Sequence, residues 1–275
     1  MPELPDITVY IEALAARVQG ERLERVELKT PFLLRSVEPP LREVERQRIV
    51  ELRRVGKRIA MRCENGVWLV LHLMIAGRLH WNRKGGKVLA SFVFSSGTLH
   101  LTEAGTQRRA SLHLTRDPAA LDPAGVEPLE CTLAEFAAAL RRENHTVKNA
   151  LIDPHTFSGI GNAYSDEILH RARMSPLLLT QKMSDDEIGG LFEATRVTLV
   201  EWTDRLRAEA AGEFPEKVTA FRAEMAVHGR HKLPCPVCNA TVQRIRYATN
   251  ETNYCPGCQT KGKVLADRAM SRLLK

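Results

Sequence analysis

The sequence predicts an α+β multidomain chain: an N-terminal helix, a β-sandwich or barrel, a helical region and a small cysteine-bound hairpin. Three observations carry this. Residues 22–116 break into short runs rich in Val, Ile, Leu, Phe and Trp between turn signals, the spacing of an all-β domain. From about residue 130 the texture becomes helical. Near the end, four cysteines fall in two Cys-x-x-Cys pairs, Cys235/Cys238 and Cys255/Cys258.

Each element has a local reason. Ile7, Tyr10, Ile11, Leu14 and Val18 recur at helical spacing, so an amphipathic helix follows Asp6 and stops near Gly20. Ile59–Cys63 and Val67–Leu73 flank Asn65-Gly66, a strong hairpin signal. Lys84-Gly85-Gly86 and Ser95-Ser96-Gly97 separate the next strands. Pro118, Pro123 and Pro128 mark a linker. Thr132–Glu135 and Ser184–Glu187 read as capping boxes, the second opening one helix to about Ala210. Residues 212–223 are weakly patterned and predict a loop, and the last stretch returns to short strands around the cysteines.

Lys plus Arg is 40 against 33 Asp plus Glu, a formal charge of +7 that suits a polyanionic partner without proving one. No apolar run reaches the 18 residues or so of a membrane span. The start Met1-Pro2-Glu3-Leu4-Pro5-Asp6 lacks the basic-then-apolar layout of a secretory signal, so a cytoplasmic setting is expected. In a reduced compartment the paired cysteines point to a metal rather than to disulfides. Four thiolates from two tight turns suit one tetrahedral, structural zinc ion, and they leave no open position for a catalytic water. Residues 241–254 between the pairs predict a hairpin, and Arg244, Arg246, Lys261, Lys263, Arg268, Arg272 and Lys275 make this end basic.

Two further motifs carry chemistry. Gly159-Ile-Gly161-Asn162 predicts a tight turn into a helix that Asn162 opens and caps, or whose backbone amides hold a phosphate. Removal of Met1 would leave Pro2 as a secondary α-amine. An α-amine has an ordinary pKa of about 7.7–8.0, against about 10.4 for lysine, so more of it is nucleophilic at neutral pH. Glu3 beside it is a candidate acid or base. Alone, Pro2-Glu3 is an ordinary start.

Taken together, the motifs resemble the formamidopyrimidine-DNA glycosylase/endonuclease VIII (Fpg/Nei) family. The resemblance rests on Pro2-Glu3-Leu4-Pro5-Asp6, Gly56-Lys57, His72-Leu73 after Val67–Val70, Gly159–Asn162, and the ribbon with Tyr254-Cys255-Pro-Gly-Cys258-Gln259. These occur in the family's order over nearly the whole chain. The resemblance implies a β-sandwich catalytic domain at 1–125, a helix-two-turn-helix domain at 126–232, a zinc finger at 233–260 and a basic tail at 261–275, with DNA in the cleft between domains. It implies a bifunctional DNA glycosylase/AP lyase of base-excision repair, nucleoid-associated and monomeric. Pro2 is then the nucleophile and Glu3 the acid assisting sugar-ring opening. Lys57 and His72 contact phosphate, and Asn162 contacts the backbone. A Schiff base on Pro2 leads to β,δ-elimination.

Three departures bear on this. The motif's usual fifth residue, Glu, is Asp6. The usual arginine of the zinc hairpin is Asn250, so its phosphate clamp is weakened or supplied by Arg246. The family's Met-Arg-Phe set, which fills the space of the flipped base, reads Ile75, Arg108 and Ala110, without the aromatic. That leans towards Nei-like oxidised pyrimidines, ring-opened purines or single-stranded DNA rather than 8-oxoguanine opposite cytosine. The alternatives are an Fpg-type oxidised-purine glycosylase, a non-catalytic DNA-binding homologue, and a zinc-ribbon RNA-binding protein. The last two leave Pro2, Glu3 and Lys57 unexplained.

Overall fold

The computed structural model describes residues 1–83, 86–104, 108–215, 218, 222–247 and 250–265. The chain divides into two compact units, Met1–Asp122 with Thr203–Thr219 and Pro123–Trp202 with Ala220–Lys275.

The first unit opens with helix α1, Leu4–Val18. Of its predicted apolar stripe, Ile7, Tyr10, Leu14 and Val18 are fully buried, and Ile11 packs partly buried against the same core. A reciprocal cap starts it, with the Glu3 N–H donating to Asp6 Oδ2 at 2.9 Å. Asp6 therefore reaches the capping position despite its shorter side chain. Gly20 follows the helix at φ +85°, which a residue with a Cβ adopts only at a cost.

Eight antiparallel strands follow: β1 Arg22–Leu28, β2 Gln47–Val55, β3 Arg58–Cys63, β4 Trp68–His72, β5 Gly77–Trp81, β6 Val88–Phe94, β7 Gly97–Glu103 and β8 Ser111–Thr115. Their order is β5-β7-β6-β1-β2-β3-β4-β8. The pairing of β1 with β2 spans only Arg22↔Arg48 and Leu23↔Gln47. This short seam joins two four-stranded halves. One core holds residues of both halves and of α1, among them Tyr10, Leu23, Met61, Leu71, Phe92 and Leu112. Gly66 turns the predicted β3–β4 hairpin, its N–H on the Cys63 carbonyl at 2.9 Å. Part of the predicted turn at 84–86 lies outside the described residues.

The second unit carries α2 Leu133–Arg141, α3 Val147–Ile152, α4 Asn162–Arg171, α5 Asp185–Ala210, the hairpin β9 Gln243–Tyr247 and β10 Asn250–Tyr254, and the short α6 Pro256–Gln259. The residues of α5 from Thr203 onward cluster with the first unit. Both predicted capping boxes form. Glu135 Oε2 accepts from Thr132 N at 2.8 Å, and Glu187 Oε2 from Ser184 N at 2.9 Å. In the predicted loop at 212–223, Phe214 is buried against Tyr10, with ring centroids 5.7 Å apart. Residues 216, 217 and 219–221 of that loop are outside the described set.

One expectation is corrected. Asn162 does not cap α4: Gly161 is the capping residue and Asn162 is the first helical one. The Asn162 side chain turns to the hairpin instead, Nδ2 donating to the Glu251 carbonyl at 2.6 Å. As the first helical residue Asn162 is not placed to cap with its Oδ1, and its Nδ2 donor finds an acceptor in the β10 carbonyl instead.

Candidate active site, nucleic-acid interface and metal centre

The N-terminus is a built site. Pro2 is buried and Glu3 is 2% exposed at the start of α1, where the helix dipole favours a carboxylate. Burial pushes the Met1 ammonium below its ordinary value; Glu3 and Asp6 oppose this, while Arg78 and Lys57 add to it. Two cations and two buried carboxylates, Glu3 and Asp6, thus act on the chain's first atoms. Lys57 is presented by a two-residue turn between paired Val55 and Arg58, with Gly56 at φ +59° in its first central position. Arg78, on β5, donates to the carbonyls of Ile75 and Gly77 at 3.2 and 2.6 Å. Sequence patterning gave no sign of Arg78, a single cation inside a strand.

His72 ends β4 between Arg58 on β3 and Ser111 on β8. Burial first, then Arg58, Lys57 and His113, pull its pKa down to about 4. It is a neutral imidazole at physiological pH. The same crowding lowers His113, with Arg58 and Arg35 adding to burial. Cations therefore gather where β3, β4 and β8 meet.

Ile75 is 61% exposed on the β4–β5 turn, which closes through Gly77 N–H to the Leu73 carbonyl at 2.9 Å. A Cβ on Gly77 would lie 2.3 Å from that oxygen, so the turn requires glycine there. Arg108 is exposed. Ala110 is 4% exposed, and its N–H and that of Arg109 both donate to the Glu103 carboxylate. Ala110 and Arg108 line a cavity of about 260 Å³ with Arg35, Leu89 and Phe32. Phe32 is 77% exposed, an aromatic that sequence periodicity had no means to single out.

In the second unit α4 organises a buried polar network. Lys148 Nζ donates to the Asn162 carbonyl at 2.8 Å, Ser165 Oγ at 2.8 Å and Asp166 Oδ1 at 2.5 Å. Asp166 Oδ2 also meets His228 Nδ1 at 2.8 Å and accepts from the Asn253 N–H at 3.1 Å. The Glu167 carboxylate accepts the N–H groups of Ala226, Val227 and His228 at 2.7, 2.9 and 3.0 Å. The two acids pin the chain before the cysteines and strand β10 to α4. Consecutive Asp-Glu on a helix reads from sequence as a solvated face; burial reverses it.

The four paired cysteines converge. Cys238 Sγ lies 3.3 Å from Cys255 Sγ, and Cys235 Sγ lies 3.8 Å from Cys258 Sγ. A tetrahedron with metal–sulfur bonds of about 2.3 Å has edges of about 3.8 Å, so the donor set fits a metal ion. His170 joins it, Nε2 3.3 Å from Cys235 Sγ. On the hairpin, Arg244 and Arg246 face the Glu251 carboxylate at 3.2 and 3.6 Å, and the Arg246 side chain is 60% exposed. The Asn250 side chain and the tail cations Arg268, Arg272 and Lys275 lie outside the described residues.

Comparison with known proteins gives these features a lineage. Residues 1–117 match the formamidopyrimidine-DNA glycosylase N-terminal domain and residues 123–204 its H2TH domain. The chain is 40% identical over 161 residues to an uncharacterized formamidopyrimidine-DNA glycosylase-like protein of Mycobacterium tuberculosis, covering 58% of this chain and 98% of that one. It is 31% identical to the formamidopyrimidine-DNA glycosylase of Heliobacterium modesticaldum over 94% of this chain and 100% of that protein. The crystal structure of MutM (Fpg) from Thermus thermophilus superposes with a TM-score of 0.80 at 30% identity, covering 94% and 98% of the two chains. Lactococcus lactis Fpg bound to DNA containing an abasic site shares the fold, with a TM-score of 0.82 at 22% identity, covering 94% and 99%. The two domain matches, in this order, and the shared fold place the chain in the Fpg/Nei class. Within that class, the chain belongs to the formamidopyrimidine-DNA glycosylase family.

Proposed function

We infer that this chain is a bifunctional DNA glycosylase/AP lyase that excises oxidised bases through a Schiff base on Pro2. The observation that carries the reading is the buried Pro2-Glu3 start with Lys57 and Arg78 acting on the N-terminal amine. While Met1 is attached, the Pro2 nitrogen is a non-nucleophilic amide, so the chemistry requires its removal. The Pro2 amine then inherits the surroundings that lower the Met1 amine, burial first and Arg78 and Lys57 against Glu3 and Asp6, and the neutral amine is the form that attacks. Pro2 N attacks the anomeric carbon of a flipped-out nucleotide, the damaged base leaves, and Glu3 supplies the proton that opens the sugar ring. The resulting iminium acidifies the adjacent sugar carbon, and the 3′ and then the 5′ phosphate leave by elimination.

Lys57, His72, Asn162 and Arg246 are assigned to the DNA backbone, with His72 a neutral donor. Asn250, where the family has arginine, is the weakened member of the clamp. One Asn162 Nδ2 hydrogen is engaged by β10, so the second Nδ2 hydrogen or neighbouring backbone N–H groups make the contact. One zinc ion, held by Cys235, Cys238, Cys255 and Cys258, is structural and shapes the hairpin. Damaged DNA is the partner, double-stranded and to some degree single-stranded, and the protein acts as a monomer at the nucleoid.

On substrate, Ile75 and Arg108 are exposed where a wedge is required, while Ala110 offers no ring. Loss of aromatic stacking, about 1–3 kcal/mol, weakens support for the estranged base. Oxidised pyrimidines are therefore preferred over 8-oxoguanine opposite cytosine. Single-turnover excision of 5-hydroxyuracil, thymine glycol and 8-oxoguanine in matched duplexes tests this. Preference for 8-oxoguanine would establish the Fpg-type alternative, which the names of the relatives favour. Absence of excision with intact binding would establish a non-catalytic homologue.

A further inference from the structure

The metal centre has one donor more than four thiolates require. The ligating atoms of His170, Cys235, Cys255 and Cys258 all lie within 4.8 Å of one another. Cys238 completes the cluster from its exposed side, whereas Cys235 and Cys255 are buried and Cys258 partly so. Cys235, Cys255 and Cys258 thus form a face common to two four-donor sets, one closed by Cys238 and the other by His170. The imidazole is itself 7% exposed in the last turn of α4. It borders a cavity of about 350 Å³ lined also by Arg171, Trp202 and Cys258, which leaves the ring room to re-seat.

We propose that His170 is a reserve ligand of the metal centre, hydrogen-bonded to Cys235 while four sulfurs hold the ion and coordinating in place of Cys238 when that exposed thiolate is lost. The inference rests on the zinc reading above. In the first state Nε2–H donates to Cys235 Sγ across 3.3 Å and offsets part of the excess negative charge of four thiolates on a divalent ion. In the second state the ring proton sits on Nδ1 and Nε2 presents its lone pair. Exchanging a thiolate for a neutral imidazole raises the net charge of the centre by one, and a set of three thiolates and one imidazole is itself an ordinary structural zinc site.

The test compares metal content and cobalt(II) spectra of the wild type, Cys238→Ala, Cys255→Ala and the double variant Cys238→Ala/His170→Ala. Cys238→Ala should keep one zinc per chain, while Cys255→Ala and the double variant bind it about tenfold or more weakly. Cobalt-loaded Cys238→Ala should keep tetrahedral bands, moved to higher energy with weaker thiolate charge transfer. Cys238→Ala as zinc-poor as Cys255→Ala, or a double variant as zinc-rich as Cys238→Ala, would overturn the proposal. A wild type without zinc would instead take down the zinc reading and the proposal with it. Alkylation of Cys238 in folded protein, with the label mapped by mass, avoids dependence on variant folding. The wild type should retain zinc and His170→Ala release it; equal release from both contradicts the reserve role.

Discussion

Lys57 and His72, both proposed above as phosphate contacts, lie close together, yet the two side chains differ in charge. Lysine brings a full charge, whereas burial beside Arg58 and Lys57 holds His72 neutral, with its pKa down to about 4. Each neutralised phosphate contributes nearly one to the slope of log affinity against log salt. Lys57→Ala should therefore lower that slope by about one, and His72→Gln should weaken binding while leaving it unchanged. Binding titrations across salt concentrations check this; an equal slope change for both would mean that His72 binds as a cation. The depressed pKa also fixes a sign for stability. Between about 4 and the ordinary 6.5, unfolded His72 takes up a proton that the folded one refuses. The first unit should lose stability as pH falls through that window, and His72→Gln should flatten the loss in pH-dependent denaturation. At Ala110, the adjoining cavity of about 260 Å³ leaves space for a larger side chain. Ala110→Phe should shift excision part of the way towards 8-oxoguanine opposite cytosine in the same matched-duplex assay; an unchanged ratio would show that the ring at 110 does not set preference.

Helix α4 is the element on which the second unit turns. Lys148 and Asp166 are 5% and 0% exposed in their side chains, and Asp166 also holds His228 and Asn253. Removing one member of a buried ion pair leaves the other uncompensated, a loss of about 3–5 kcal/mol. Asp166→Ala should destabilise the second unit by that order in chemical denaturation, and Asp166→Asn by less, because its carbonyl still accepts. A loss below about 1 kcal/mol for Asp166→Ala would mean that the network is not structural. This element also shows where sequence stops being legible. The glycine turn before α4, the stripe of α1 and both capping boxes are local patterns, and they were readable. Asp166 and Glu167 were not, because, Lys148 apart, their partners lie about 60 or more residues away in the chain. The same holds for Asn162: its position at the start of α4 was legible, but its bond to Glu251 depends on where β10 packs.

Across the whole molecule, motif order made both halves of the fold readable, and spacing alone made the cysteines converge. The short β1–β2 seam that folds eight strands into two halves was not readable, because strand texture says nothing about which neighbours pair. Nor was His170, whose relevance comes only from its approach to Cys235. The N-terminal site divides in the same way. Pro2, Glu3 and Lys57 stood out as a motif, whereas Arg78 and the desolvation of the amine emerge only from packing. Because the lowered pKa of the Met1 amine and the buried Glu3 mark the N-terminus, the central claim is the nucleophile that removal of Met1 would expose there. Borohydride trapping on DNA with an abasic site, followed by peptide mapping across a pH series, tests it most directly. The account predicts an adduct on Pro2 of protein lacking Met1, with trapping retained below the ordinary α-amine range of about 7.7–8.0. An adduct on a lysine, or strand cleavage by active protein with no trapped adduct, would contradict it.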